Sequence, residues 1–151
     1  MYDETASRIA IHAVLSKSVY ESDEWNVEGV VECFAQNGVM QMALSTLTGR
    51  EEIAAGMGAM HKNAKSTIKR HHLTTSHVSF LAPDQAAATS YFLTFYSEGL
   101  DSAGHYKDLL VLEPDGWRIA HRKIIFDWIS ENSSIATSAE ARAARIGWDK
   151  R

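Results

Sequence analysis

The sequence predicts an α+β domain in which three N-terminal helices pack on one face of a curved, mainly antiparallel sheet. Apolar residues recur at helical spacing over residues 4–60, whereas from residue 70 onward they alternate or run together as in strands. Pro83-Asp84 and Pro114-Asp115-Gly116 mark turns that divide the second half into hairpins. Helices followed by an antiparallel sheet indicate the α+β class, and 151 residues suffice for a single domain with one core.

The helical half begins with residues 4–20, where an apolar stripe contains Ile11, Val14, Leu15 and Val19. Asp23 or Asn26 can cap a second, short helix, because both side chains accept hydrogen bonds from a first helical turn. The buried face of that helix is predicted to contain Val27, Val30, Val31 and Phe34. Asn37-Gly38 ends it, and residues 39–42 are expected to form a brief strand.

A third helix is predicted to begin at Thr48, where Thr48 and Glu51 have the spacing of a capping box. Its apolar positions are Ile53, Met57 and Met60, while Gly56 and Gly58 weaken its helical propensity. Residues 61–69 are polar and are expected to form a loop.

Four strands are expected at residues 70–82, 85–98, 104–113 and 117–128. Residues 131–151 are rich in serine, alanine and arginine, with a helix possible from Ala139 to Ile146 and Trp148 as the large apolar anchor. We therefore expect an α+β domain over residues 1–130. Residues 131–151 would form a partly helical tail that docks on the body or a neighbouring subunit, or stays flexible.

Composition and charge exclude several classes of function. A net charge of −4 gives no basic surface for nucleic acid, and the single cysteine, Cys33, precludes an internal disulfide. No apolar run reaches the ~18 residues of a membrane span, and the acidic N-terminus lacks a signal-peptide core. The seven histidines show no metal-binding spacing, and no phosphate loop or dinucleotide motif is present. We expect a cytoplasmic protein without metal or cofactor.

Candidate catalytic groups lie in two segments about fifty residues apart: an acidic helix end at residues 21–24 and Arg70-His71-His72 at the start of a strand. Alternation along that strand places either His71 or His72 inward, and the pattern leaves the choice open. An Asp–His pair in an apolar pocket can transfer protons without a cofactor. The alternatives are a structural histidine, Asp23 as a helix cap, or Glu21 or Glu24 at the inward position.

Asp108 shares the face of its strand with Tyr106, Leu110 and Leu112. A carboxylate on an apolar face is costly unless it is paired, and across the hairpin its neighbour is His121 or Arg122. The pair is either a structural salt bridge or part of a pocket. Most of the aromatic side chains must belong to the core, but some could line a cavity for a ring-shaped ligand. The candidates for contact with a ligand are Tyr20, Tyr91, Tyr106, Asp108 and Trp128.

The order and spacing of several motifs resemble the SnoaL-like family of the nuclear transport factor-like superfamily, and most closely its scytalone dehydratase-like proteins. Asp23 through Phe34 resembles the family's acidic helix end, and Leu47 to Ile53 resembles its third-helix start. Arg70-His71-His72-Leu73-Thr74 resembles its histidine strand. Residues 104–108 and 115–122 resemble its closing hairpin.

This resemblance implies a cone-shaped, cystatin-like fold and a catalytic Asp–His pair formed by Asp23 and His72. It implies a cofactor-independent lyase of the dehydratase type, an isomerase or a polyketide cyclase, acting on a small apolar cyclic substrate. The alternative is a non-catalytic binding or assembly subunit, as in the small subunit of ring-hydroxylating dioxygenases. Relatives with this fold are often dimers or trimers, so a homo-oligomer is also implied. Fold alone does not determine the reaction.

Overall fold

The computed structural model describes residues 3–63, 68–133, 135–136 and 138–150, and the side chains of all of these except Lys150. The helices are α1 Glu4–Asp23, α2 Val27–Glu32, α3 Gly49–Lys62 and α4 Ala139–Arg145, followed by a 3₁₀ turn at Trp148–Lys150. The strands are β1 Phe34–Met42, β2 Ser45–Thr48, β3 Lys69–Ala82, β4 Gln85–Tyr96, β5 Gly99–Glu113 and β6 Gly116–Ile129. The strand order is β2-β1-β6-β5-β4-β3, antiparallel except where β1 pairs with β6. The predicted fold class is therefore confirmed.

The core lies between the helices and one face of the sheet. Ile11 and Leu15 of α1 pack with Ile119 of β6 and Leu110 of β5, and all four side chains are almost fully buried. Ile53 of α3 belongs to the same cluster. Burial of such side chains is the main stabilising contribution in a domain of this size. We call the helix-covered face of the sheet the inner face and the opposite one the outer face.

Helix starts follow the predicted capping chemistry in part. Asn26 caps α2, because its side-chain oxygen accepts a hydrogen bond from the Gly29 amide at 3.2 Å. At α3, Thr48 is the capping residue but its side chain makes no capping bond. Its amide donates instead to Glu52 Oε2 at 2.7 Å, so the prediction of Glu51 as the reciprocal partner is wrong by one residue.

Strand β1 starts five residues earlier than predicted. Phe34, expected on the face of α2, pairs with Ile119 in the parallel ladder, and the Ile119 amide donates to the Cys33 carbonyl at 2.8 Å. Arg50 also donates two hydrogen bonds to the Phe34 carbonyl, at 2.9 and 2.7 Å. Helix α2 therefore ends at Glu32, although the helical spacing of apolar residues continues to Phe34, because Phe34 pairs with a distant strand. Strand β5 likewise begins at Gly99 rather than residue 104, since Gly99 pairs with Tyr96.

The tail docks along the C-terminal half of strand β6. The Gly147 amide donates to the Phe126 carbonyl at 2.8 Å, and the Trp148 indole donates to the Ile124 carbonyl at 3.0 Å. Asp149 accepts hydrogen bonds from Lys107 and Lys123 at 2.6 and 2.7 Å. Most of the predicted loop at residues 61–69 lies outside the described residues or at the ends of α3 and β3. None of the helices in the described residues combines the length and the apolar character that a membrane span requires.

Candidate functional site

The end of helix α1 sets the position of the acidic candidate. The Asn26 amide donates to the Glu21 carbonyl at 2.9 Å, and the Trp25 amide donates to the Ser22 carbonyl at 3.3 Å. This pattern is the Schellman motif, which requires a left-handed residue after the helix cap. Trp25 occupies that position with φ of 61°, where glycine is usual. A side chain at this φ costs about 1–2 kcal/mol, and it directs the indole towards the cavity described below.

Asp23, in the last turn of α1, binds His71 of β3 through two hydrogen bonds. Asp23 Oδ1 lies 2.6 Å from His71 Nδ1, and Asp23 Oδ2 accepts from the His71 amide at 2.7 Å. The carboxylate is 6% exposed and the imidazole 16% exposed. One carboxylate therefore holds both the backbone and the ring of the same histidine, and this arrangement fixes the orientation of the imidazole.

His72 points away from this pair. The prediction that His72 faces the pocket is therefore corrected: the histidine at the pocket is His71. His72 lies on the exposed outer face, with its ring 5.5 Å from that of Phe95. The cause is a β-bulge: Leu73 pairs with Phe92 and Ser76 with Ser90, so β3 carries one extra residue. Odd-numbered residues face inward before the bulge, whereas Val78 faces inward after it. Counting back from Val78 therefore selects the wrong histidine.

A cavity of about 580 Å³ lies between the sheet and helices α1 and α3, and His71 lines it. Its walls are largely apolar and include Val19, Met40, Met57, Phe92, Ile124 and Phe126. Ile135 and Arg145 bring the C-terminal tail to its edge. The volume lies in the range of small-molecule sites, and methionine side chains adapt readily to ligand shape.

Asp108 and Arg122 form a buried ion pair, one of the two arrangements left open by the sequence. Arg122 Nε and Nη2 donate to the two oxygens of Asp108 at 2.8 and 2.9 Å, and Nη1 donates to Ser18 Oγ at 2.8 Å. Burial lowers the pKa of Arg122, but Asp108 outweighs that effect and the net shift is upward. The guanidinium stays charged, lines the cavity and packs 4.3 Å from the centre of the Tyr106 ring.

The aromatic candidates divide between the cavity and the surface. Tyr106 lines the cavity, stacks on Phe92 at 4.6 Å and is almost fully buried. Burial is the main reason that the pKa of its hydroxyl is raised, so the hydroxyl remains a donor. Tyr20, Tyr91 and Trp128 are 62%, 52% and 45% exposed, do not line the cavity and are not brought to this site.

The structure adds three cavity residues that the sequence analysis did not select: Trp25, His61 and Lys69. Lys69 is 6% exposed, and its Nζ lies 4.4 Å from the centre of the Trp25 ring. The His61 ring packs edge-on against Trp25 at 4.7 Å. Burial, then the charge of Lys69, lowers the pKa of His61, so its ring is neutral near pH 7. Two-residue alternation back from His71 places Lys69 on the same face, but the polar run at residues 61–69 predicts a loop instead.

Comparison with known proteins places the chain in a family. Among curated proteins, none matches it significantly. The chain is similar to the solved structure of an Asp-to-Asn variant of Rv3472, a protein of unknown function from Mycobacterium tuberculosis. The two are 21% identical with a TM-score of 0.76, and the match covers 93% of this chain and 85% of that one. A candidate scytalone dehydratase from Novosphingobium aromaticivorans is 17% identical with a TM-score of 0.75, covering 83% of this chain and 87% of its own.

A third related structure, from Catenulispora acidiphila, is a complex with S-DNPA; it is 23% identical with a TM-score of 0.67, covering 82% of this chain and 96% of its own. These solved structures share the fold with this chain. The model of the SnoaL-like domain matches residues 3–123, about four-fifths of the sequence. The chain therefore belongs to the SnoaL-like domain family.

Proposed function

We propose that this protein is a cofactor-independent acid–base enzyme, a lyase of the dehydratase type or an isomerase, acting on a small, largely apolar ring compound. The observation that carries the proposal is the double hydrogen bond by which Asp23 orients His71 at the wall of the 580 Å³ cavity. A carboxylate that only terminated a helix would not need to hold both the ring and the amide of a cavity histidine.

His71 has the geometry of a general base. An ionised carboxylate only accepts hydrogen bonds, so Asp23 requires a proton on His71 Nδ1. Nε2 of the neutral ring then carries the lone pair, and no residue in the described part of the chain binds that nitrogen. When Nε2 takes a proton from the substrate, the imidazolium is stabilised by Asp23 at 2.6 Å.

The leading reaction is elimination of water. His71 Nε2 removes a proton from the carbon next to a carbonyl, the electron pair forms the new double bond, and the hydroxyl on the adjacent carbon takes that proton from the imidazolium and leaves as water. Tyr106, whose hydroxyl stays protonated, can donate a hydrogen bond to the substrate. The largely apolar walls of the cavity strengthen electrostatic interactions at the reacting atoms.

The first test uses 3-hydroxy-1-tetralone, whose dehydration gives 1-naphthol, a fluorescent product. We expect enzyme-dependent formation of 1-naphthol that falls by roughly 10²–10⁴-fold in His71→Gln and Asp23→Asn, the range for loss of a general base. His72→Gln is the matched control, because it makes the same change one residue away on the outer face. Circular dichroism must show that all variants are folded. Equal loss in the His72 control would contradict the proposal.

A second assay separates proton abstraction from elimination. 1-Tetralone lacks the leaving hydroxyl, so in D₂O a protein that only abstracts protons will exchange deuterium at the carbon beside the carbonyl, measured by NMR. Exchange that depends on His71, without formation of 1-naphthol from the hydroxylated compound, would favour an isomerase or cyclase. Absence of both activities, with tight binding of either ketone, would favour the non-catalytic binding module.

We also propose that the outer face of the sheet associates with a second copy of the chain. Tyr91, Phe95 and Trp128 are exposed, and β4–β5–β6 pairing places Trp128 in the same row as Leu93. An apolar patch of this kind can pack against its own copy across a two-fold axis. Sedimentation equilibrium should show a homo-oligomer that Trp128→Glu dissociates. A monomer at all concentrations would contradict this proposal.

A further inference from the structure

Lys69 is a buried cation that forms no ion pair with any residue in the described part of the chain. Its Nζ donates to Ser22 Oγ at 3.0 Å and lies over the Trp25 ring at 4.4 Å. Asp23, the carboxylate whose charge acts on Lys69, is engaged by His71. Among the described residues, no carboxylate forms a salt bridge with Lys69. A buried charge is normally paired, and a lysine ammonium has three donors, so this group keeps a donor for a ligand.

The two arginines at the cavity differ from Lys69 in their contacts or in their exposure. Arg122 uses Nε and Nη2 for Asp108 and Nη1 for Ser18. Arg145 Nη1 donates to the Ala141 carbonyl at 2.9 Å. Lys69 therefore differs from Arg122 in binding a single neutral oxygen among the described residues, and from Arg145 in being nearly buried.

Lys69 and His71 are two residues apart before the bulge of β3, so their side chains project from the same face. Their Cα atoms are about 7 Å apart by the rise of a strand. A ring substrate between them can place a carbon–hydrogen bond at the imidazole and a neighbouring oxygen at the ammonium. The Trp25 indole forms a wall beside the same ammonium.

We propose that Lys69 binds the substrate oxygen on which negative charge develops, so that this site takes enolisable ring ketones, and this inference rests on the proposed function. When His71 removes the proton beside the carbonyl, the electron pair of the broken carbon–hydrogen bond forms a carbon–carbon double bond. The carbonyl oxygen becomes an enolate, and Lys69 donates a hydrogen bond to it. A preoriented charged donor in a largely apolar cavity is suited to such an anion.

The test uses binding rather than turnover. 2,4-Dinitrophenolate is an aromatic oxyanion that stays ionised in neutral and alkaline solution, and 1,3-dinitrobenzene is the matched ligand without the oxygen. Calorimetry should show that Lys69→Met weakens binding of the phenolate by about 10–100-fold, the value of a charge-assisted hydrogen bond, and leaves the neutral ligand unchanged. Lys62→Met, an exposed lysine near the end of α3, should affect neither ligand.

A second measurement is made on the wild-type protein, so it does not depend on the folding of Lys69→Met. Burial, opposed by Asp23, lowers the pKa of Lys69 to about 8. Phenolate affinity should therefore fall as pH rises through about 8. Asp23, His61, His71 and Asp101 also line or adjoin this part of the cavity. The Lys69→Arg variant keeps these four groups, and its guanidinium stays charged over this pH range. In that variant the decrease in phenolate affinity should therefore be absent.

The outcomes separate this inference from the proposed function. Equal affinity of wild type and Lys69→Met for the phenolate, or an equal loss for both ligands, would overturn the role of Lys69. A fall in phenolate affinity that persists in Lys69→Arg would also overturn it. Phenolate binding that depends on Lys69, in a protein inactive on the ketones, would keep the oxyanion site and reject the enzyme.

Discussion

Replacing Lys69 by methionine should stabilise the folded protein at neutral pH, although it removes a group that we place in the binding site. Methionine fills a similar volume without a charge. The pKa of Lys69 falls from 10.5 in an exposed lysine to about 8, which corresponds to about 3 kcal/mol of cost for the buried ammonium. The lost contact with the Trp25 ring offsets about 1 kcal/mol, so we expect a net gain of about 2 kcal/mol.

The pH dependence of this gain follows from the direction of the shift. Because the folded-state pKa lies below the unfolded value of 10.5, the unfolded chain binds more protons between about pH 8 and 10.5. Wild-type stability therefore rises through that window, and the full cost of the charge is present below about pH 8. The stabilisation in Lys69→Met should be largest at neutral pH and largely lost by about pH 10, as the wild-type lysine becomes neutral.

Urea unfolding of both proteins at the two pH values measures the difference directly. Lys62→Met serves as the control for removing an exposed lysine charge and should change stability by less than about 0.5 kcal/mol. A destabilised Lys69→Met protein at neutral pH, or a gain of the same size at both pH values, would refute the reasoning that Lys69 is a costly buried cation.

Three further predictions concern other parts of the molecule. Asp108→Asn should destabilise the protein by about 3–5 kcal/mol in urea unfolding, because Arg122 is left buried without its counter-charge; a small effect would show that water reaches the pair. Cys33, which is 1% exposed and whose pKa is raised by burial, should react with a disulfide reagent only as fast as the protein unfolds. Asp149→Asn should speed proteolytic removal of the tail while changing global stability by less than about 1 kcal/mol, since Trp148 still docks and the lysine partners are partly exposed.

Local patterns were sufficient to predict the hairpins and the short second helix. Pro83-Asp84 and Pro114-Asp115-Gly116 form the predicted turns, and Asn26 caps α2 as its chemistry indicates. The turn between β5 and β6 allowed Asp108 to lie opposite either His121 or Arg122, and it pairs with Arg122. These features depend on residues close in sequence or on a single strand pair, so the sequence carries enough information to predict them.

Features set by distant contacts were not predictable in this way. Phe34 has the spacing of a helix face, but pairing with Ile119 draws it into β1. Trp25 adopts a backbone conformation that favours glycine, and no local pattern indicated this. The choice between His71 and His72 depended on a bulge whose position is decided by pairing with β4. The position of Asp23 at the end of a helix was predictable from the sequence. Which histidine it binds depends on the tertiary fold.

The bulge in β3 lets the strand carry one extra residue while the histidine segment keeps its pairing with β4. Deleting one residue between Leu73 and Ser76, such as Thr74, would remove the extra residue while Val78 kept its place in the core. Regular alternation back from Val78 through the shortened segment would then place Leu73 and His71 inward, on the side where they already lie. His71 would stay at the cavity and His72 on the outer face, so a single codon lost at this point would leave every residue of the site in place.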